Sequence, residues 1–258
     1  MFPTLFQFGS LRIATYGLFV AAGYLAGIQY LASKRERMGL GEDSFWRLIY
    51  WLFLGAVLGG KLLYWAVEWR SIIDGTLRPL ADFRYGFVFY GGLLGASAVG
   101  FWVARSLKKS CVLIADYLSV AVPLGQGIGR LGCFAAGCCS GLPSNMPWAV
   151  RFTHEDSLVP QMFLGVPLHP VQLYEAAGDF LIAGLLTQAV SRVEGGRLKK
   201  GSAALAYVAL YAFLRFCVEF FRGDDRGAAW GLSVSQWIAL ACLASAGIIF
   251  LRSREARP

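Results

Sequence analysis

Residues 126–141 read Gln126-Gly127-Ile128-Gly129-Arg130-Leu131-Gly132-Cys133-Phe134-Ala135-Ala136-Gly137-Cys138-Cys139-Ser140-Gly141. They follow an apolar run and carry five glycines, three cysteines and one arginine. Glycine permits backbone shapes that a regular helix does not need. Irregular backbone at membrane depth is tolerated where protein buries it or where it lines a cavity, and an arginine there is costly unless it has a task. The stretch therefore predicts a broken, glycine-rich segment that presents Arg130 and free N–H groups to an anion. An unbroken helix with a snorkelling arginine stays open as the alternative.

The surrounding composition sets the solvent. Of 258 residues, 57% are hydrophobic and 16% are charged, and the mean hydropathy is +0.54. Soluble chains carry about 25% charged residues. The net charge of +8 does not point to nucleic acid, because the basic residues sit in short loops between apolar runs. Six cysteines (Cys111, Cys133, Cys138, Cys139, Cys217, Cys242) fall mostly within or beside those runs, which is not a secreted disulfide framework.

The expected fold is an all-α polytopic membrane protein, one transmembrane domain over 1–258. About seven apolar runs approach the ~20 residues that cross hydrocarbon, near 13–32, 46–67, 87–105, 111–128, 170–190, 202–221 and 232–251. Residues 142–168 form a polar cap. Loops after the first, third and fifth runs plus the tail hold thirteen Lys and Arg, against six in the opposite loops. The positive-inside rule then puts the N-terminus and the cap outside and the C-terminus in the cytoplasm. No second soluble domain is expected.

Two further stretches carry chemistry. Tyr211, Arg215 and Glu219 recur every four residues, with Arg222 three further on, so one helix face holds opposite charges that can pair at i,i+4. An internal ion pair that merely fixes packing is the bland reading. Two arginines, Arg130 and Arg215, near one membrane face suit a phosphate, because the guanidinium donates bidentately to phosphate oxygens. His169-Pro170-Val171-Gln172-Leu173-Tyr174-Glu175 opens the fifth run. Tyr16 and Tyr90 stand at the starts of the first and third runs. Tyr90 precedes Gly91-Gly92, where the backbone can approach a ligand closely. The C-x4-C-C spacing of Cys133, Cys138 and Cys139 is not a common zinc pattern. We expect no metal and no cofactor, the cysteines being small residues in a tight turn.

Taken together, these residues resemble a family. Gly129-Arg130-Leu131-Gly132-x-Phe134-x-x-Gly137-x-x-x-Gly141 is similar to the signature of bacterial prolipoprotein diacylglyceryl transferases. Tyr16-Gly17, Gly59-Gly60-Lys61, Gly91-Gly92-Leu93-Leu94-Gly95, His169-Pro170-x-Gln172-Leu173-Tyr174-Glu175 and Tyr211-x-x-x-Arg215-Phe216-x-x-Glu219-Phe220-Phe221-Arg222 match in order. The resemblance implies a bacterial inner-membrane enzyme that moves the diacylglyceryl group of phosphatidylglycerol to the lipobox cysteine of a preprolipoprotein, releasing glycerol phosphate. It implies that Arg130 and Arg215 stabilise the phosphate, that Glu219 and Tyr90 join the catalytic set, and that Tyr16, Gly91, Gly92, Cys133, Cys138, Gln172, Tyr211 and Arg222 shape the substrate site. Its partners would be the lipid, the signal peptide and the bilayer, with a monomer as the working unit.

Three positions depart from the family's usual residues: Tyr90 stands for a histidine, Cys133 for an asparagine and Cys138 for a glutamate. Histidine titrates near pH 6.5 and takes a thiol proton readily, whereas tyrosine near pH 10 is a donor. No side chain here is therefore assigned as thiol base. A paralogue with another acceptor, and a lipid-binding protein without catalysis, remain the alternatives.

Overall fold

The computed structural model describes residues 3–8, 11–83, 86–224 and 227–255. The helices, in chain order, are α1 Thr15–Ser33, α2 Glu42–Val67, the short α3 Trp69–Ile73, α4 Phe89–Ser106, α5 Cys111–Ala136, α6 Val171–Glu194, α7 Ser202–Glu219 and α8 Val234–Glu255. Among the described residues four segments are long and apolar enough to cross a membrane: α2, α5, α7 and Val234–Ser253 of α8. α6 is diluted by Gln172, Glu175 and Asp179, all buried.

The all-α expectation needs amending. Thr4–Phe8 (β1) and Leu11–Ala14 (β2) pair antiparallel ahead of α1, so the first helix starts at Thr15. Two smaller ladders pair Val150–Arg151 (β3) with Pro167–Leu168 (β4) and Ala228–Ala229 (β5) with Leu232–Ser233 (β6). The chain is mostly helical and forms two compact units, one of residues 32–114 and one of 1–31 with 115–258.

In the 32–114 unit, α2 and α4 pack along a seam without side chains. Gly55 and Gly59 on α2 face Gly91 and Gly95 on α4. A Cβ on Gly55 would stand 2.8 Å from the Gly95 carbonyl oxygen, and one on Gly59 2.8 Å from the Gly95 Cα. Small residues four apart let helix backbones approach this closely, which matters where lipid supplies no hydrophobic drive. Lys61 is buried at the end of that seam. Its Nζ donates to the Gly86 carbonyl (2.7 Å) and stands 4.9 Å from the Phe83 ring centre, so a cation among apolar helices has both a carbonyl and a π-face.

In the other unit, α1 crosses α5 where Gly23 meets Gly125 and Gly27 meets Ala121. Asp116, fully buried on α5, accepts from the backbone N–H of Gly201 (2.6 Å) and Ala204 (2.9 Å). It thus caps α7, whose first N–H groups have no partner within their own helix. The polar segment 142–168 has a small core of its own: Phe152, Val159 and Leu168 are buried, with Phe163, Leu164 and Val166 against them. Phe134 of α5 meets Phe152 edge-on at 5.9 Å, which seats this cap on the end of α5.

Candidate active site

The glycine-rich stretch does not break the helix. α5 runs through Pro123 and Arg130 to Ala136, which corrects the expected broken segment and extends the fourth helix past 128. Three of its glycines serve proximity instead of bending. Gly125 receives the backbone of α1, Gly127 faces the Phe180 ring, and Gly132 packs against Phe19 and the Tyr16 carbonyl. The chain turns only at Gly137, with φ +77°. Gly137 N–H donates to Phe134 and Cys138 N–H to Cys133, a glycine-closed helix end that satisfies the last carbonyls.

Beyond that turn the chain is held between two others. Leu142 N–H donates to Phe221, Gly223 N–H to Ser140 and His169 N–H to Leu142, and Gly141 bridges Arg222. A Cβ at Gly223 would stand 2.8 Å from the Gly141 carbonyl oxygen, so glycine is needed at this crossing. The arrangement brings the end of α5, the start of α6 and the end of α7 to one place.

Glu175 sits at the centre. On α6, Gln172, Glu175 and Asp179 share a face at i, i+3 and i+7, all of them buried. Glu175 Oε2 pairs with Arg130 Nε. Its Oε1 accepts from Arg215 Nη1 (2.8 Å) and Arg222 Nη1 (3.1 Å). Arg215 also pairs with Glu219 across one helical turn (2.5 Å), and Ser233 Oγ donates to the other Glu219 oxygen (2.7 Å). Arg222 meets Asp224 with two parallel bonds, Nε to Oδ1 at 2.8 Å and Nη2 to Oδ2 at 2.9 Å. Burial disfavours the Arg222 cation, but Asp224 and Glu175 outweigh it and hold the guanidinium pKa above its ordinary value.

Three guanidiniums and three carboxylates (Glu175, Glu219, Asp224) thus neutralise one another. They are not equally available. The Arg130 side chain is 22% exposed, against 9% for Arg215 and 2% for Arg222. Arg130 is paired with Glu175 through Nε. Arg215 and Arg222 are each held by a second carboxylate as well, Glu219 for the one and Asp224 for the other.

The remaining expected residues fall around this centre. Gln172 Nε2 donates to the Cys138 carbonyl (2.8 Å), tying α6 to the turn after α5. Tyr211 accepts from Gln126 Nε2 (3.3 Å) and stacks on Tyr207 at 5.7 Å. Glu175, Asp179, Tyr211, Leu214 and Arg215 line a narrow crevice. Tyr16, half-exposed, interacts electrostatically with Arg130, Cys133, Cys138 and Cys139. Tyr90, Gly91 and Gly92 belong to the 32–114 unit. Gly91 and Gly92 are buried there against Gly59, Leu63 and the Phe87 ring, so α2 and Phe87 occupy the space their missing side chains leave. Tyr90 is 39% exposed and meets Phe89 edge-on. Glu175, Asp179 and Asp224 were not among the expected site residues. The signal for the first two was present as acidic residues on the Gln172 face of an apolar run.

A sequence profile described as prolipoprotein diacylglyceryl transferase matches residues 3–252. The chain belongs to the prolipoprotein diacylglyceryl transferase family. Among its relatives, a phosphatidylglycerol–prolipoprotein diacylglyceryl transferase of Clostridium tetani is 37% identical over 93% of each chain. The enzyme of that name from Geobacter sulfurreducens is 35% identical over 86% of this chain and 83% of its own. A Clostridium perfringens protein, designated transferase 2, is 32% identical over 90% and 88%. Within this family member, all of the ion-paired centre lies inside the matched region.

Proposed function

We propose that this family member transfers the diacylglyceryl group of phosphatidylglycerol to the lipobox cysteine of a preprolipoprotein. The observation that carries the reading is the Glu175 hub, in which Arg130 is the least buried of the three guanidiniums. In the reaction the acceptor sulfur attacks the glycerol CH2 carbon next to the phosphate. A C–S bond forms, the C–O bond breaks, and glycerol phosphate leaves with the added negative charge. Arg130 donates to the phosphate oxygens as that charge grows, while Arg215 and Arg222, fixed by Glu175, Glu219 and Asp224, hold the potential constant. Charge placed in advance in a water-poor site costs no reorganisation when the bond breaks. Tyr16 and Tyr211 border the lipid headgroup.

The same reading takes all seven long helices as membrane-crossing, with the N-terminus and the 142–168 cap outside and the C-terminus in the cytoplasm of a bacterial inner membrane. The distribution of Lys and Arg supports it. The enzyme works as a monomer.

The test uses purified protein in detergent, phosphatidylglycerol and a synthetic lipobox peptide, read by mass spectrometry. One diacylglyceryl unit is gained by the peptide and none by its Cys→Ser counterpart. Arg130→Ala loses about 10²–10³-fold in kcat, the range for removing one transition-state donor. Arg215→Ala abolishes transfer as well. Wild-type turnover in either folded variant overturns the phosphate role. Glycerol phosphate released without a peptide product marks a different acceptor, the outcome that the departures at Tyr90, Cys133 and Cys138 make worth measuring.

A further inference from the structure

The turn after α5 does more than end a helix. In a glycine-closed helix end, the residue after the glycine lies against the residue five before it, which here brings Cys138 onto Cys133. The next residue then does something costly: Cys139, not a glycine, adopts φ +58°. Non-glycine residues rarely hold this left-handed conformation, and where they do the surroundings enforce it. As a result the three Sγ atoms all lie within 4.8 Å of one another. All three cysteines are free thiols, Cys133 buried and Cys138 and Cys139 half-buried.

Arg130 stands three residues before Cys133 on α5, and Arg222 forms a backbone bridge with Gly141, two residues after Cys139. Three sulfurs around one ion at a Zn–S distance of about 2.3 Å stand about 3.8–4.0 Å apart, inside the observed limit. A disulfide would use two of the three and require them at about 2.05 Å; it gives no reason for the third to converge. The sequence spacing alone argued against a metal, because it does not reveal the fold-back at Cys139.

We propose that Cys133, Cys138 and Cys139 form a site for a thiophilic d10 ion, Zn(II) or Cu(I), whose fourth position takes the acceptor thiol. Soft thiolate sets select these ions. Occupation of the fourth position rests on the transferase reading; the site itself does not. A thiol that binds such an ion is deprotonated outright, and its proton passes to solvent. The bound sulfur then forms the C–S bond as glycerol phosphate leaves, which replaces the missing histidine base without an oxidant or reductant. Arg130, one turn before Cys133 on α5, keeps the leaving phosphate near that sulfur.

The full-length protein, purified in detergent under a phosphine reductant, is loaded with Zn(II) alone and washed, and bound metal is counted by elemental mass spectrometry. One zinc per chain is expected, with three sulfur neighbours at about 2.3 Å by X-ray absorption. Cys138→Ser and Cys139→Ser each weaken zinc binding at least tenfold, whereas Cys217→Ser and Cys242→Ser leave it unchanged. Adding the lipobox peptide without lipid raises the sulfur count to four, and its serine counterpart does not. Reduced wild-type protein that retains no zinc overturns the site, as does zinc that survives the Cys138→Ser/Cys139→Ser double variant. A disulfide between two of the three cysteines in protein that refuses zinc after reduction points to redox chemistry and overturns it too. Zinc bound by three sulfurs with no fourth on peptide addition refutes the acceptor position alone. Zinc bound as described with no transfer activity refutes the transferase reading and leaves the site standing.

Discussion

Replacing Glu175 with glutamine keeps the side chain's shape and removes the one charge that three guanidiniums share. In the native site Oε1 accepts from Arg215 at 2.8 Å and Arg222 at 3.1 Å, and Oε2 pairs with Arg130. Whichever way the amide is turned, its NH2 faces at least one guanidinium, donor against donor. The local charge moves from zero to +1 among residues that are nearly all buried. Removing one partner of a buried ion pair costs about 3–5 kcal/mol because the other charge is left uncompensated. Every 1.36 kcal/mol of lost transition-state stabilisation is tenfold in rate. If Glu175 orients Arg130, about 3 kcal/mol of the cost falls on the reaction, so kcat/KM drops a little over 10²-fold. The remainder lowers the thermal midpoint in detergent. Both are read on the same preparation, by the lipobox-peptide assay and by a thermal melt followed by circular dichroism. A Glu175→Gln protein with wild-type kcat/KM and a wild-type midpoint would refute the hub.

Other parts of the structure make separate demands. Gly59→Ala pushes a methyl into the backbone of Gly91 and Gly95 and should destabilise by about 1–3 kcal/mol, the usual range for overpacking. Gly184→Ala, in mid-α6 with nothing within 4 Å of the new Cβ, should stabilise by about 0.5–1 kcal/mol through helix propensity; thermal melts of the two should shift in opposite directions. Asp116→Ala strips the acceptor from two N–H groups of α7 and should lower the melting midpoint, by about 1–3 kcal/mol for each buried donor left unpaired. Its effect on kcat/KM of the folded fraction should be small. Tyr90→His should keep or raise turnover on the lipobox peptide, and a loss of activity would give Tyr90 a role of its own.

The mostly helical class could be read from the sequence because apolar runs obey simple lengths. Gly55 and Gly59 have the four-residue spacing that lets helices approach closely, but the spacing does not name α4 as the partner. The pairing of Arg215 with Glu219 followed from four-residue spacing. The sequence is ambiguous where glycine can serve two purposes. The glycines of 125–132 read as breakers, yet Gly125, Gly127 and Gly132 each give room to a neighbouring element, which a single sequence does not reveal. The β1–β2 ladder was hidden because Leu11–Ala14 reads as the start of an apolar helix. Glu175 was overlooked for a different reason. Its weight comes from three arginines, 45, 40 and 47 residues away in the chain, and only folding adds them together. The gathering of the three thiols was equally out of reach, since it depends on one residue taking a left-handed turn.

The cap that Asp116 provides for α7 bears on the order in which the chain is built. Its carboxylate leaves the ribosome about 85 residues before the N–H groups it serves. Chains are synthesised from the N-terminus at about 5–20 residues per second, so α5 has several seconds to become established before Gly201 and Ala204 emerge. α7 thus meets its acceptor on arrival. A circular permutant that opens the chain between 116 and 201, and so makes α7 ahead of α5, would have to insert α7 with its first turn uncapped. Biogenesis, more than the stability of the finished protein, is where this one buried carboxylate would leave its mark.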